Sequence, residues 1–370
     1  MNNWFRMIPA FGRWALALLA TLVIFGSLAI FTFRTEKPKR DETVGIVLPS
    51  TADDSGWSGS HYLGMKRACD EFGVKLLVLE NVSTEGCSEA IEALIADGAK
   101  MVFLCGNTYP AAARETIWQH PKITFATIAV GAEAPNLSVC FVRMHQGRYL
   151  AGVLAARRTK SGVLGYVAPM PKAPVVREIN AFTLGARLVN PNARVVVCWS
   201  GVWADAEKET EAVRRLITET GADVVTYHQD DQAVPDACEE LGVDYIGFNA
   251  WLPRRSEHYL GTVACRWDIY YRSIVQHFLK GELIAIKNRW IGMNEGAIDL
   301  ADTPESIGLD TGYALAELRR QLESRYRLIF RGPIRDTSGR LRIGEGEVLR
   351  DDALIHRMDW FVEGVEFLGE

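Results

Sequence analysis

Short apolar runs alternate with stretches of helical periodicity along most of this chain, and that alternation constrains the fold more than any other feature. Residues 44–48 (VGIVL) run straight into Pro49 and Ser50, as a buried parallel strand ending in a loop does. Residues 62–72 carry apolar positions at helical spacing and stop at Gly73. The pattern repeats with a strand at 75–79, a helix at 87–96 closed by Asp97 and Gly98, a strand at 101–104, a helix at 111–119 and a strand at 123–128. After a longer helix at 148–158 it starts again: strand 163–167, helix 177–188, strand 194–198, helix 208–218, strand 224–227, then strands at 244–248 and 261–265. The expected fold class is therefore α/β, two successive doubly wound parallel-sheet units with helices on both faces.

Ligands of such sheets sit beyond the carboxyl ends of the strands, and two units that face each other line one cleft with those ends. The loops that matter are then 49–57, 105–109, 169–174, 200–205, 228–232 and 249–253. Three of them carry a tryptophan: Trp57, Trp203 and Trp251. Each indole is either rim packing or a face on which a flat π-system stacks. Asp54 and Asp230 stand in the same loops, as helix caps or as acceptors for an exocyclic amine or a hydroxyl.

Other function classes lose ground on composition and motif. Charged residues are 24% of the 370 and the net charge is −5, so unspecific attraction to nucleic acid or anionic lipid is not expected. The seven cysteines, Cys69, Cys87, Cys105, Cys140, Cys198, Cys238 and Cys265, include no C-x-x-C pair and read as free, buried hydrophobes. There is no nucleophile elbow, no H-E-x-x-H and no phosphate-binding glycine loop, and His61, His145 and His228 are scattered. Neither catalysis, nor a metal, nor a cofactor is expected.

Residues 14–33 are uncharged and bracketed by Arg13 and Arg34. As a helix that stretch spans a hydrocarbon core of about 30 Å. It reads either as a secretory signal cleaved after Ala29 or as an uncleaved anchor, since 30–33 stay apolar. Arg6 and Arg13 on one side and Arg34, Lys37, Lys39 and Arg40 on the other leave the orientation open. The expected organisation is a leader or anchor at 1–34, a linker at 35–42, a first lobe from 43–162 plus about 249–282, a second from 163–248 plus about 283–330, and a C-terminal extension at 331–370.

Several stretches carry a family resemblance. Asp54-Ser-Gly-Trp57 looks like a D-x-G-[WF] loop, and Gly147-Arg-Tyr-Leu-Ala-Gly152 like an E-G-x-Y-L-A-G helix with Gln146 in place of the acid. Val175-Val-Arg, Ile179-Asn-Ala-Phe-Thr-Leu-Gly185, Val189-Asn-Pro-Asn192, Trp203-Ala-Asp205 and Gly221-Ala-Asp-Val224 follow in order. Together they resemble the basic membrane protein family, the purine-nucleoside-receptor type of substrate-binding protein that serves ABC importers. The tail, from Gly332-Pro-Ile to Met358-Asp-Trp-Phe-Val-Glu-Gly364, is similar to that of a subgroup that binds free adenine.

The resemblance implies a periplasmic binding protein type I-like fold on the extracytoplasmic side of a membrane. It implies a purine sandwiched between Trp57 and Trp203, with Asp54 and Asp230 on its polar edges. Tyr109 falls near a family aromatic, and Trp267 opens the segment that crosses back between lobes. The family usually has an acid in the loop that here reads Gly247-Phe-Asn249-Ala-Trp251. With neutral Asn249 and bulky Trp251 there, a free base of adenine type is favoured over a nucleoside. The implied partners are a purine and an ABC permease, with the membrane reached through the N-terminal segment and no nucleic acid. A membrane-tethered sensor of the same fold, without transport, is the competing reading.

Overall fold

The computed structural model describes residues 41–369 apart from Ser55, Val130, 250–255, 284–288 and 325–327. The apolar stretch 14–33 and Trp251 lie outside the described residues. Among the described residues no helix is long and apolar enough to cross a membrane.

The first unit runs β1 (Thr43–Val47), α1 (Trp57–Phe72), β2 (Lys75–Leu79), α2 (Cys87–Ala96), β3 (Met101–Leu104), α3 (Tyr109–Ala112), α4 (Arg114–Gln119), β4 (Thr124–Thr127) and β5 (Leu137–Val142). After α5 (Met144–Arg158), the second runs β6 (Val163–Ala168), α6 (Ala173–Val189), β7 (Arg194–Trp199), α7 (Ala206–Thr220), β8 (Val224–Tyr227), α8 (Ala233–Leu241), β9 (Asp244–Asn249) and β10 (Tyr259–Cys265). Beyond α9 (Trp267–Leu279) come β11 (Arg289–Ile291), β12 (Ile298–Ala301), α10 (Leu309–Ser324), β13 (Ile334–Arg335), β14 (Leu341–Ile343), α11 (Asp351–His356) and β15 (Val365–Phe367).

Two sheets result. The six-stranded sheet has the order β11-β5-β4-β3-β1-β2, and the seven-stranded sheet β12-β10-β9-β8-β6-β7-β15. Every pairing in them is parallel except β10 with β12. Each unit therefore winds outward in both directions from a central pair, β1/β3 in one and β6/β8 in the other. Those pairs are the topological switch points, where open α/β sheets receive ligands. Central strands such as β3 (MVFL) and β6 (VLGYVA) are buried along their whole length, which is why they read as unbroken apolar runs.

The chain passes between the units three times: after Val142, after Cys265 and after Ile291. The sequence pattern predicts a return to the first unit from about residue 249. Strand pairing puts it later, because β10 lies beside β9 in the second sheet and only α9 returns, against α1. Residues 289–291 then extend the first sheet beside β5. Backbone bonds knit the crossings together: Arg143 N–H donates to the Ile291 carbonyl at 2.8 Å and Arg266 N–H to the Ala297 carbonyl at 2.8 Å.

Helix α5 packs into the second unit against α6, β10, β12 and α10, and Met144 through Ala155 are buried without a polar stripe. Its contact with α6 is close because glycines meet backbone: a Cβ on Gly152 would overlap the Phe182 carbonyl, and one on Gly185 the Tyr149 carbonyl. Between these helices Arg148 is fully buried. It donates to Thr226 Oγ1 at 3.0 Å and to the Tyr227 carbonyl at 2.6 Å, lies 3.4 Å from Glu178, and covers the Phe248 ring at 3.9 Å.

Candidate functional site

At the first switch point, Asp54 shapes the loop after β1. Its carboxylate accepts backbone N–H bonds from Gly56 (3.1 Å), Ser58 (3.2 Å) and Gly59 (2.7 Å). It thus caps the start of α1, where free N–H groups and the helix dipole favour an anion. Trp57, the first residue of α1, is partly buried, and its Nε1 donates to the Cys105 carbonyl beyond β3 at 2.9 Å. That bond ties together the loops that follow the two central strands.

One helical turn on, His61 lies between two indoles: 4.2 Å from Trp57 and 3.8 Å from Trp267 by ring centroids. Its Nδ1 pairs with the Tyr271 hydroxyl at 2.6 Å, and its Nε2 has no partner. Burial holds this imidazole well below its usual pKa. The sequence alone reads His61 as a scattered, structural histidine. The signal that reveals it is the i,i+4 spacing from Trp57, which puts both on one face of α1.

In the second unit, Trp203 is partly buried and meets His228 edge-on at 6.0 Å, and its carbonyl accepts from Asp230 N–H at 3.0 Å. Asp205 caps α7 by accepting from Lys208 N–H at 3.2 Å, and its own N–H donates to Glu209 at 2.9 Å. Gln229 braces the same loop, donating to the Val202 carbonyl at 2.9 Å. His228 is buried, its Nδ1 makes no hydrogen bond but lies 3.7 Å from the Glu178 carboxylate, and desolvation with the charges of Arg148 and Arg177 keeps it well below its usual pKa.

The two half-sites meet. A Cβ on Gly56 would overlap the Asp230 carbonyl, so glycine is what lets the loops touch. The residues flanking this contact are Trp57, next in chain to Gly56, and Trp203, hydrogen-bonded to Asp230. The Asp230 carboxyl is pushed up to about 7, first by burial and then by the charges of Asp54 and Asp231.

Asn249 ends β9 at φ 64°, a left-handed conformation that asparagine tolerates better than most residues. Its Oδ1 accepts from Trp267 Nε1 at 3.1 Å, which joins the second unit to the Trp57–His61–Trp267 cluster. Of the residues picked from sequence, Asp54, Trp57, Trp203 and Asp230 thus surround the contact between the loops, and Asn249 and Trp267 adjoin it through His61. Tyr109 goes elsewhere. It is 2% exposed, its ring belongs to the smaller apolar cluster with Val47 and Cys87, and its hydroxyl donates to the Val82 carbonyl. The cause is local: the loop coils at once into α3, which turns Tyr109 inward. Among the described residues no group of three His, Cys, Asp or Glu side chains is placed to hold a metal.

Comparison with known proteins agrees with this architecture. An ABC transporter solute-binding protein of Aeropyrum pernix K1 superposes with a TM-score of 0.68 over 80% of this chain and 93% of its own, at 16% identity, which is a likeness of fold. A purine-binding protein of Brucella abortus (strain 2308) is 30% identical over 327 residues, 87% of this chain and 92% of the other. A protein of Haloferax volcanii named as an ABC transporter glucose-binding protein is 28% identical over 333 residues, 89% of this chain and 82% of the other. The sequence model of the PnrA-like substrate-binding proteins of ABC transporters matches residues 41–320. With that match over most of its length, the chain belongs to the Bmp family of ABC transporter substrate-binding proteins.

Proposed function

We propose that this protein captures a purine base, adenine in preference to adenosine, between Trp57 and Trp203 and presents it to an ABC permease. The observation that carries the reading is the Gly56–Asp230 contact, with one partly buried indole beside each partner. Two indoles on opposite sides of a closing cleft suit a flat heteroaromatic ring, and stacking of this kind contributes about 1–3 kcal/mol per base. The carboxylates of Asp54 and Asp230 supply acceptors for a ring N–H or an exocyclic amine. Asn249 is neutral where ribose recognition calls for an acid, which favours the free base. The purine-binding relative supports the same ligand class.

Residues 43–142 with 266–291, and residues 143–265 with 292–330, form the two lobes of this reading, which close by hinge motion at the three crossings. The apolar stretch 14–33 directs the chain through a membrane or keeps it there.

Indole faces also stack on sugar rings, and the Haloferax relative is named for glucose. Calorimetry with adenine, hypoxanthine, guanine, adenosine and glucose separates the two readings. Adenine binding at least as tightly as adenosine, with no heat from glucose, supports the purine reading. Glucose binding without purine binding overturns it.

A further inference from the structure

We infer that Asn249 is a fixed hydrogen-bond donor that requires an unprotonated ring nitrogen on the bound base. This inference rests on the purine reading of the site. An asparagine amide ordinarily presents either of two interchangeable ends, and their assignment is a matter of surroundings. Here the surroundings leave one choice. The indole Nε1 of Trp267 is a donor with no acceptor capacity, so the atom 3.1 Å from it is the Asn249 oxygen. The Nδ2 end then faces away from Trp267. Asn249 is 2% exposed and Nδ2 has no partner.

A buried amide N–H2 with nothing to bond is costly. The residue stands at the carboxyl end of a strand in the second sheet. It is hydrogen-bonded to Trp267, whose ring lies 3.8 Å from His61 and 5.7 Å from Trp57 by centroids. A ligand atom that accepts from Nδ2 removes that cost.

The site then has two polar poles of opposite sense. Asp54 and Asp230 accept from the donor edge of the base, and Asn249 donates to one of its lone pairs. A sugar hydroxyl satisfies either pole, because it donates and accepts. A purine must be in one orientation, with its amine toward the acids and one ring nitrogen toward Asn249. Replacing that nitrogen by C–H turns an attraction into a clash of two hydrogens.

The test is calorimetry on the full-length chain with adenine and with 1-, 3- and 7-deazaadenine, for the wild type and for Asn249→Asp. The aspartate keeps the shape, tolerates the positive φ and still accepts from Trp267, but presents no donor. One deaza isomer is expected to bind the wild type at least about tenfold more weakly than adenine, a loss typical of one buried hydrogen bond. Asn249→Asp is expected to weaken adenine by a similar factor and to lose little further with that isomer. Adenine bound normally while all three isomers match it, or while Asn249→Asp leaves it unchanged, overturns the donor role alone. Failure of the wild type to bind adenine overturns the purine reading and this inference with it.

Discussion

Gly56 of the first unit rests against the backbone carbonyl of Asp230 in the second with no room for a side chain between them. The two residues follow different switch-point strands, so under the proposed two-lobe reading their contact stands for the closed cleft. Gly56→Ala is predicted to hold the loops apart. Ligand affinity then falls by about tenfold for each 1.4 kcal/mol by which closure is disfavoured. Thermal stability of the separate units stays near wild type. Small-angle scattering checks the first point, since the variant should be more extended with ligand than the wild type; an identical profile and affinity would contradict it.

Acidity bears on the stability of the fold. The Asp230 carboxyl is pushed up to about 7 and that of Glu209 to about 8, in both cases by burial first. Unfolded, such groups titrate near about 4. The folded state therefore binds protons more tightly than the unfolded one between about 4 and 8, and stability falls as pH rises through that window. Below it the contribution is fully present, and above it the loss levels off. Denaturant melts from pH 5 to 8.5 should show the decline, and Asp230→Asn and Glu209→Gln should each flatten it. A rise in stability over the same range contradicts the assignment.

Much of the fold was legible because parallel strands buried on both faces leave unbroken apolar runs, and the ones from Val44 to Phe248 coincide with β-strands. The crossings were not legible. Whether residues 259–265 join the first or second sheet depends on pairing with β9, a tertiary choice that no local pattern encodes. Helix α5 was recognised only from Arg148, since its first turn carries Gln146 and Gly147 and shows no polar face to set a boundary. At the site, Trp57 and Trp203 stood out as aromatics in strand-end loops. His61 did not, because a lone histidine on an apolar helix looks like core. The sequence could not show that Asn249 has one amide end engaged, since its partner Trp267 approaches only in the folded chain.

The C-terminal segment should be part of the folding unit. Asn180 on α6 holds it: Nδ2 donates to the Trp360 carbonyl at 2.8 Å, and Oδ1 accepts from Val362 N–H at 2.9 Å. β15 then lengthens the second sheet beside β7. Asn180→Ala leaves two backbone groups unpaired and is predicted to cost about 1–3 kcal/mol of unfolding free energy, with ligand affinity retained. Equilibrium denaturation measures the first and calorimetry the second. A stability equal to wild type would show that the tail is only loosely attached.

All seven cysteines are free and buried. Burial raises their thiol pKa values, with Cys69, Cys87 and Cys140 pushed up to about 12. The native protein should react slowly with a thiol reagent at pH 8, since the thiolate is the nucleophile. Denatured without reductant, it should release all seven. Recovery of one thiol or none would mean that the protein carries disulfides in its own compartment.

The measurement that bears most directly on the account is adenine binding by calorimetry to the wild type, Trp57→Ala and Trp203→Ala. Loss of one stacking wall removes about 1–3 kcal/mol, or roughly 5- to 150-fold in affinity. The account predicts a loss in that range for each variant, with the double variant less than additive if one indole alone cannot hold the closed form. Adenine bound with wild-type affinity by both single variants would contradict the placement of the ligand between Trp57 and Trp203.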